Sequence, residues 1–224
     1  MQILYEDNHL IAVNKAVGEI VQGDKTGDTP LVDTLKAYLK EKYNKPGNVF
    51  CGVTHRLDRP VSGVVVFAKT SKALERFNGM LRDHTIKKTY HAIVKNPPAQ
   101  PEGTLSHYLV RNEKMNKSFA YDAPKGDAKK AVLSYKVIGH SDNYTLLEVD
   151  LQTGRHHQIR CQLAAMGCPI KGDLKYGFPR SNKDAGISLH AHSVEFIHPV
   201  TKLPIKIIAP YPETDIWKQL TISN

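Results

Sequence analysis

The sequence predicts an α+β fold in which helices flank a mixed, mostly antiparallel β-sheet. Short apolar runs, rich in β-branched and aromatic residues, outnumber the helical patterns. Residues 132–138 and 144–151, for example, flank a polar turn at 141–143 and indicate an antiparallel hairpin. About four segments carry apolar residues at helical spacing instead. Neighbouring strands that pair with each other, interrupted by a few helices, are typical of the α+β class.

Turn residues and apolar runs place the strands along the chain. The run 64–68 is entirely apolar and about as long as a buried strand, whereas 187–197 alternates before a turn at 198–201. The predicted strands are 3–5, 9–13, 49–53, 64–68, 86–95, 105–110, 132–138, 144–151, 187–197 and 203–209.

Capping residues place the helices. Thr29 is a suitable N-cap before a proline at the first helical position, so the first helix is predicted over 30–43. Ser71 is expected to cap the second helix, and the third pattern runs through 154–169. A short amphipathic helix is expected around Trp217.

The length and composition fit one globular domain. We expect residues 1–224 to form a single catalytic domain with two subdomains, and the proline-rich segment 96–103 is the best candidate boundary between them. No apolar run approaches the roughly 18 residues that span a bilayer, and the N-terminus has no signal-peptide pattern. We therefore expect a cytoplasmic protein without membrane association, and a monomer.

The net charge favours an anionic partner. The chain has 31 lysines and arginines against 22 acidic residues, which gives a formal charge of +9 and a pI near 9.3. Such a surplus favours nucleic acid first and an anionic membrane second. Residues 111–130 mix lysines with Phe119 and Tyr121, which suits a loop that faces RNA. An ordinary solvated connector fits this segment equally well.

Metal and cofactor sites are not indicated. The three cysteines have no C-x-x-C spacing, and a reducing compartment suits them. His190 and His192 lie on one face of a predicted strand, but no third ligand of suitable type accompanies them. Nucleotide-binding glycine loops are missing from the sequence. We expect no metal and no nucleotide cofactor.

The stretch His55-Arg56-Leu57-Asp58-Arg59-Pro60-Val61-Ser62-Gly63 is the strongest candidate for chemistry. It lies between two apolar runs, and it places the carboxylate of Asp58 between the guanidiniums of Arg56 and Arg59. Opposite charges at short range keep a carboxylate ionised. An ionised aspartate can be a nucleophile, or it can be a structural ion pair in a turn, and the residues alone leave both roles open.

Three segments in the same order resemble one enzyme family. HRLDRPVSG resembles the HRLD-x-x-[ST]-SG loop of the RluA-type pseudouridine synthases. KTYHAIV at 88–94 is similar to the K-x-Y-x-A-x-V strand of that family, and TGRHHQIR at 153–160 is similar to T-G-R-x-H-Q-I-R. The resemblance covers nearly the whole chain. It implies the pseudouridine synthase fold and an RNA isomerase that acts on tRNA or rRNA without a cofactor.

The resemblance also implies roles for single residues. Asp58 would act at C1′ of a flipped-out uridine, Tyr90 would stack on the uracil and move a proton, and Arg160 would orient Asp58 through a salt bridge. The residues expected to contact RNA are His55, Arg56, Arg59, Lys88, Arg155, His157 and Gln158.

Two positions depart from the family pattern. Val61 replaces the usual threonine or serine and lacks its hydroxyl, and Ala16 replaces the proline of N-K-P-x-G. Two other functions compete with the isomerase. One is a catalytically silent RNA-binding protein on the same scaffold, and the other is a hydrolase that uses Asp58 as its nucleophile.

Overall fold

A computed structural model describes residues 1–221, and within them it contains eleven strands and four α-helices. The strands are β1 (Gln2–Glu6), β2 (Leu10–Lys15), β3 (Gly52–Val53), β4 (Ser62–Ala68), β5 (Lys87–Val94), β6 (Glu102–Asn112), β7 (Lys117–Tyr121), β8 (Lys129–His140), β9 (Thr145–Leu151), β10 (Leu189–Ile197) and β11 (Pro204–Ile208). The helices are α1 (Leu31–Lys42), α2 (Ser71–Arg82), α3 (Gln158–Ala165) and α4 (Asp215–Thr221), and Leu174–Tyr176 forms one 3₁₀ turn.

The chain divides into two compact units. Unit 1 comprises residues 1–86 and 191–210, and unit 2 comprises residues 87–190 and the chain from Tyr211 onward. The segment 96–103, predicted as a subdomain boundary, therefore lies inside unit 2. That residues 1–224 form a single catalytic domain stays a prediction.

Unit 1 is built on strands in the order β1-β2-β4-β10, with β3 on β4 and β11 on β10. Every residue of β4 is buried, as its continuous apolar run predicts for a strand covered on both faces. The apolar stripes of α1 and α2 contribute Leu35, Leu39 and Phe77, which have no exposed surface. Phe77 meets Phe196 of β10 edge to face, with ring centroids 5.1 Å apart.

Unit 2 is an antiparallel sheet in the order β5-β9-β8-β6-β7. One cluster of buried residues joins α3 to the sheet and includes Leu109, Ala131 and Cys161. A second cluster packs Trp217 of α4 against Ile93 and neighbouring side chains. Both helices thus lie on the sheet through apolar contacts.

The predicted α+β class with a mostly antiparallel sheet is confirmed. The predicted strand over 49–53 is wrong in extent, because only Gly52–Val53 pair with β4 and Phe50 is 44% exposed. A strand at 117–121 was not predicted within the polar segment 111–130. It forms because Ser118 and Ala120 turn toward the α3 side of the sheet, a contact that a local pattern of polar residues does not reveal.

Both predicted N-caps are one residue away from those observed. Pro30 itself is the N-cap of α1, in extended conformation, and Thr70 caps α2 by accepting a hydrogen bond from the Ala73 amide. The fourth helix around Trp217 is confirmed.

Candidate active site

One buried lysine holds the main chain of the Asp58 loop, which we define as residues 54–63. Lys15 ends β2 and has no exposed surface. Its ammonium donates hydrogen bonds to the carbonyl oxygens of Ala16 at 3.0 Å, Arg59 at 3.1 Å and Val61 at 2.6 Å. An ammonium has three N–H donors, so these carbonyls use all of them. The carbonyls on both sides of Pro60 are thereby fixed relative to β2.

The charge of Lys15 depends on the same environment. Burial lowers the pKa of Lys15 to about 8, although the carboxylates of Glu19 and Asp58 favour its charged form. The amide of Ala16 donates to Glu19 at 2.7 Å. A proline at position 16 has no N–H to donate, so the departure from the family pattern adds a hydrogen bond to this turn.

Close packing fixes the end of the loop. Val61 is 2% exposed, and its amide donates to the carbonyl of Asp58 at 3.0 Å. Gly63 has φ +119°, and a Cβ there would overlap the main chain of Ala191. The glycine at the Ser-Gly end of the motif is thus explained by a close approach of two backbone segments that only glycine permits. Valine at 61 suits a buried position, where a threonine hydroxyl would need a partner.

The side chains of the Asp58 loop point in different directions. Leu57 is buried, Arg56 is exposed, and His55 is half-buried with Nδ1 3.1 Å from the hydroxyl of Thr54. Asp58 is half-buried. The loop therefore has an apolar anchor directly before a partly accessible carboxylate.

Arg59 does not pair with Asp58. Its guanidinium donates to Asp28 at 2.6 Å and lies 3.5 Å from Asp24. The hydrogen bond with Asp28 raises the pKa of Arg59. The expectation that Asp58 lies between two guanidiniums thus does not hold for Arg59, which instead ties the Asp58 loop to the segment before α1.

Tyr90 and Lys88 lie on one face of β5, because alternate residues of a strand share a face. Tyr90 is 8% exposed and is in register with Val149 of β9. Lys88 is half-buried, and burial lowers its pKa. Within residues 1–221 its ammonium has neither an acidic partner nor a hydrogen bond. A partly desolvated cation in this condition is suited to bind a phosphate.

Arg160 forms a buried ion pair with Asp173. The Nε and Nη2 atoms of Arg160 donate to the two carboxylate oxygens at 2.7 and 2.9 Å, and the residues are 5% and 1% exposed. The guanidinium also lies 5.2 Å from the ring centroid of Tyr176. This bidentate contact fixes the plane of the guanidinium. The predicted role of Arg160 in orienting Asp58 stays a prediction.

Gln158 holds the turn that precedes α3. Its Oε1 accepts from the Arg155 amide at 3.0 Å and from the Thr153 hydroxyl at 2.8 Å, while Nε2 donates to the carbonyl of Val132 at 3.1 Å. Gln158 is 3% exposed. These bonds explain the residue as part of the fold, whereas Arg155 is exposed and donates through Nε to the carbonyl of Lys130.

His157 is also part of the packing. It has a left-handed conformation with φ 53°, is 9% exposed, and its Nδ1 lies 3.0 Å from the hydroxyl of Tyr176. Its ring stacks on His156, with centroids 3.8 Å apart. Among the residues expected to bind RNA, exposure thus favours Arg56 and Arg155. Lys88 is favoured by its partial exposure and by the lack of a counter-ion within residues 1–221.

Comparison with known families identifies the chain. Residues 9–165 match the family described as RNA pseudouridylate synthase. The chain belongs to this family. The matched region contains the Asp58 loop, β5 and the segment 153–160, which are the three segments that carried the resemblance in the sequence.

Several curated members of the family are similar over most of the chain. An uncharacterized RNA pseudouridine synthase from Synechocystis is 34% identical over 95% of this chain, which spans 66% of the relative's length. The tRNA pseudouridine synthase C of Vibrio parahaemolyticus is 33% identical over 98% of the chain and 93% of its own length. The ribosomal large subunit pseudouridine synthase D of Zymomonas mobilis is 32% identical over 100% of the chain and 74% of its own length.

Solved structures show the same fold. Human RNA Pseudouridylate Synthase Domain Containing 4 matches 95% of this chain and 89% of its own, with 23% identity and a TM-score of 0.80. Human RNA Pseudouridylate Synthase Domain Containing 1 matches 95% and 84%, with 21% identity and a TM-score of 0.71. The pseudouridine synthase fold predicted from the sequence is confirmed.

Lys15 and Asp173 hold polar groups of the site in place, although the sequence alone did not single them out. Lys15 belongs to the segment compared with N-K-P-x-G, and Asp173 directly follows Gly172, so both lie within motif segments. The signal that could have found them is a charged residue beside buried apolar runs, since such a charge needs buried partners.

Two features are absent from the described part of the chain. Within residues 1–221, histidine, cysteine, aspartate and glutamate side chains nowhere form a group of three or more that could hold a metal ion. Over the same residues, no helix combines the length and the apolar character that crossing a membrane requires.

Proposed function

We propose that this protein isomerises a uridine in structured RNA to pseudouridine, with Asp58 acting at C1′ of the target nucleotide. The observation that carries the proposal is the anchoring of the Asp58 loop by Lys15 and Gly63. A reacting carboxylate must be held within a fraction of an ångström of its target. Main-chain anchoring of this kind supports that precision, because it fixes the backbone on both sides of Pro60 next to Asp58.

The chemistry explains why few protein groups are needed. The N1–C1′ bond breaks, the uracil rotates, and a C5–C1′ bond forms. The proton on C5 is then lost, and N1 carries a proton in the product, so atoms and charge balance without a co-reactant. We assign Asp58 to C1′, Tyr90 to stacking on the uracil and the late proton transfer, and Arg160 to the orientation of Asp58.

The RNA must present its uridine outside a helix. A base within a duplex is unreachable, so the target nucleotide must be flipped out of the helix to reach Asp58. Arg56 and Arg155 are exposed cations suited to the displaced strand or its phosphates, and Lys88 offers an uncompensated ammonium near Gly154. Because similar proteins are named for tRNA and for the large ribosomal subunit, we propose tRNA or rRNA as the substrate class, with the protein acting as a cytoplasmic monomer.

The two competing functions make different predictions. A hydrolase would release a base or cleave the strand, which changes the mass of the RNA, whereas isomerisation leaves the mass unchanged. A silent RNA-binding protein would bind RNA and leave every uridine unmodified. The mass of the RNA and the pseudouridine content therefore separate all three functions.

The test is to map pseudouridine in total RNA from cells with and without the gene, by carbodiimide-induced stops of reverse transcription. We expect a site that is lost in the deletion and restored by the wild type. Asp58→Asn should not restore it, whereas the control Asp33→Asn, which changes an exposed carboxylate on α1, should.

Purified protein extends the same test. Asp58→Asn should lower turnover of RNA from the deletion strain by ~10²–10⁴-fold or more, which is the range for loss of a positioned catalytic carboxylate. RNA affinity should stay close to that of the wild type. Turnover by Asp58→Asn at the wild-type rate would refute the assignment of Asp58. A wild-type protein that binds RNA but modifies neither tRNA nor rRNA would favour the silent RNA-binding protein.

A further inference from the structure

The β8–β6–β7 part of the sheet has a second face, on the side opposite α3. Leu109 and Ala131 belong to the cluster that includes Cys161 of α3. Because side chains alternate along a strand, Tyr108 and Lys130 point to the other side of the sheet. Tyr108 is half-buried and Lys130 is exposed, so this second face is accessible along these strands.

Aromatic side chains are aligned across this face. Tyr121 of β7 is in register with Tyr108 of β6, which is in register with Lys130 of β8. In the next row, Phe119 is in register with Val110. The side chains of Tyr108, Val110, Phe119 and Tyr121 are all partly exposed. We call this surface the aromatic face, and it comprises Tyr108, Val110, Lys117, Phe119, Tyr121, Lys125 and Lys130.

Uncompensated lysines accompany the rings. The ammonium of Lys125 lies 4.6 Å from the ring centroid of Tyr121. That of Lys117, on the edge strand, lies 5.6 Å from the centroid of Phe119 and 5.1 Å from that of Tyr176 on the α3 side. Within the described residues, Lys117, Lys125 and Lys130 form no ion pair with an acidic side chain. Over 107–130 the sequence has six lysines and arginines against three acidic residues, so the surrounding surface is positive.

A similar group in unit 1 shows what distinguishes the aromatic face. There Lys42 and Lys69 lie over the ring of Tyr43, at 5.5 and 4.7 Å. Both lysines, however, form ion pairs with Glu6. Although burial raises the pKa of Glu6, the hydrogen bonds it accepts from these groups lower the pKa to about 2. That group is neutralised from within, whereas no carboxylate in the described part of the chain pairs with the lysines of the aromatic face.

We propose that the aromatic face binds an unpaired segment of the RNA substrate, with bases stacked on Tyr121, Phe119 and Tyr108 and phosphates near the lysines. Aromatic rings beside positive charge are how proteins bind single strands with little regard to sequence. The inference rests on the proposed RNA substrate and adds a contact surface that the three family motifs do not include. An acidic peptide would use the lysines but would not need the planes of the rings.

The first test measures the binding of two labelled RNA probes by fluorescence anisotropy. One probe is a short oligouridylate, which is single-stranded, and the other is a fully paired RNA duplex that hides its base planes. The double variant Phe119→Leu/Tyr121→Leu keeps apolar bulk on the sheet but removes the stacking surfaces. We expect it to bind the oligouridylate roughly tenfold more weakly and the duplex within about twofold of the wild type.

Matched controls separate this effect from general damage. Phe50→Leu removes an exposed aromatic ring from unit 1 and should leave both affinities unchanged. Thermal unfolding of each variant reports the fold, and if the double variant unfolds, Tyr121→Leu alone decides the question. Unchanged oligouridylate affinity in a folded variant, or an equal loss for the duplex, would overturn stacking on this face.

The lysines are tested by salt dependence. Lys117→Gln/Lys125→Gln should lower the slope of log affinity against log salt by about 1 to 2 for the oligouridylate, because fewer counterions are released. Lys40→Gln/Lys72→Gln removes the same charge from exposed helical positions of unit 1 and should change the slope less. Equal slopes for the two double variants would refute a specific role for the aromatic-face lysines.

The outcome can be distinguished from that of the proposed isomerisation. Asp58→Asn should bind the oligouridylate as the wild type does, so binding and turnover are read independently. Suppose that the wild type forms pseudouridine while the variants at Phe119 and Tyr121 bind the oligouridylate as tightly as it does. In that case only RNA binding by the aromatic face is refuted. If the variants lose binding as expected but the wild type forms no pseudouridine, the face stands and the isomerase proposal fails.

Discussion

The two segments most similar to the family's motifs are built in opposite ways. The main chain of the Asp58 loop is held by the ammonium of Lys15 and by the close approach at Gly63. Segment 153–160 is held through its own side chains, since Gln158 and Arg160 make buried polar bonds within unit 2. The bonds of Gln158 and Arg160 thus use the polar ends of motif side chains, whereas those of Lys15 reach only the main chain of the Asp58 loop.

This difference teaches how to interpret a polar motif residue. Arg160 and Gln158 are 5% and 3% exposed, and removal of either would leave buried polar groups without partners. Arg56 is exposed and can be removed with little structural cost. The following variants test this contrast, from the largest expected effect to the smallest.

The buried ion pair should show the largest effect on stability. Asp173→Asn removes the carboxylate that accepts from Nε and Nη2 of Arg160, in a site where both residues are at most 5% exposed. We expect a loss of about 3–5 kcal/mol in the free energy of unfolding, measured by urea denaturation. The control Asp33→Asn breaks the exposed pair with Lys36 and should cost less than about 1 kcal/mol. Equal losses would contradict the structural role of Asp173.

Lys15 predicts a pH dependence. Its pKa is about 8 in the folded protein and is near 10.5 in an unfolded chain, so between these pH values the unfolded state binds more protons. Stability from this group therefore rises with pH across that window, by up to roughly 3 kcal/mol. We expect Lys15→Met to be less stable than the wild type at pH 7, with a difference that widens toward pH 10.

The measurement is chemical denaturation of both proteins at several pH values from 7 to 10. Lys40→Met, on the exposed side of α1, is the control and should follow the wild type throughout. A constant difference between Lys15→Met and the wild type would mean that Lys15 does not titrate in this window.

Gln158 should affect the fold more than RNA binding. Gln158→Leu keeps the approximate size but removes the bonds to the Arg155 amide, the Thr153 hydroxyl and the Val132 carbonyl. We expect a loss of about 1–3 kcal/mol in unfolding free energy, and RNA affinity within a few fold of the wild type for the folded protein. A large loss of affinity at unchanged stability would instead support the predicted RNA contact.

Arg56 should affect RNA binding more than the fold, and its effect on stability should be the smallest among these variants. Arg56→Ala should leave the unfolding transition where it is and lower the salt slope of RNA binding by about 1, as expected for one lost phosphate contact. The control Arg82→Ala, at the end of α2, should leave the slope unchanged. If Arg56→Ala unfolds more easily and binds RNA normally, the contrast between the two segments fails.

Most of the fold could be predicted, because its signals are local. The apolar run of β4, the hairpin of β8 and β9, and the stripe of α2 each follow from residues close in sequence. The strand β7 could not be predicted, since alternate small residues became buried only when α3 packed over them. The caps differ by one position because α1 begins after an extended Pro30 that makes no side-chain cap bond, and because Thr70, beside Ser71, supplies the capping hydroxyl of α2.

The sequence by itself determined the family, the order of the motifs and the residue types that the chemistry needs. Asp58, Tyr90 and Arg160 stand in strings long enough to identify a synthase before any coordinates are known. Tertiary structure decided which charges are already used within the protein. Arg59 faces Asp28, Arg160 faces Asp173, and Lys15 holds three carbonyls, while Lys88 meets no counter-ion among residues 1–221. The physical reason is that pairing depends on distances between residues remote in sequence, which a motif does not record.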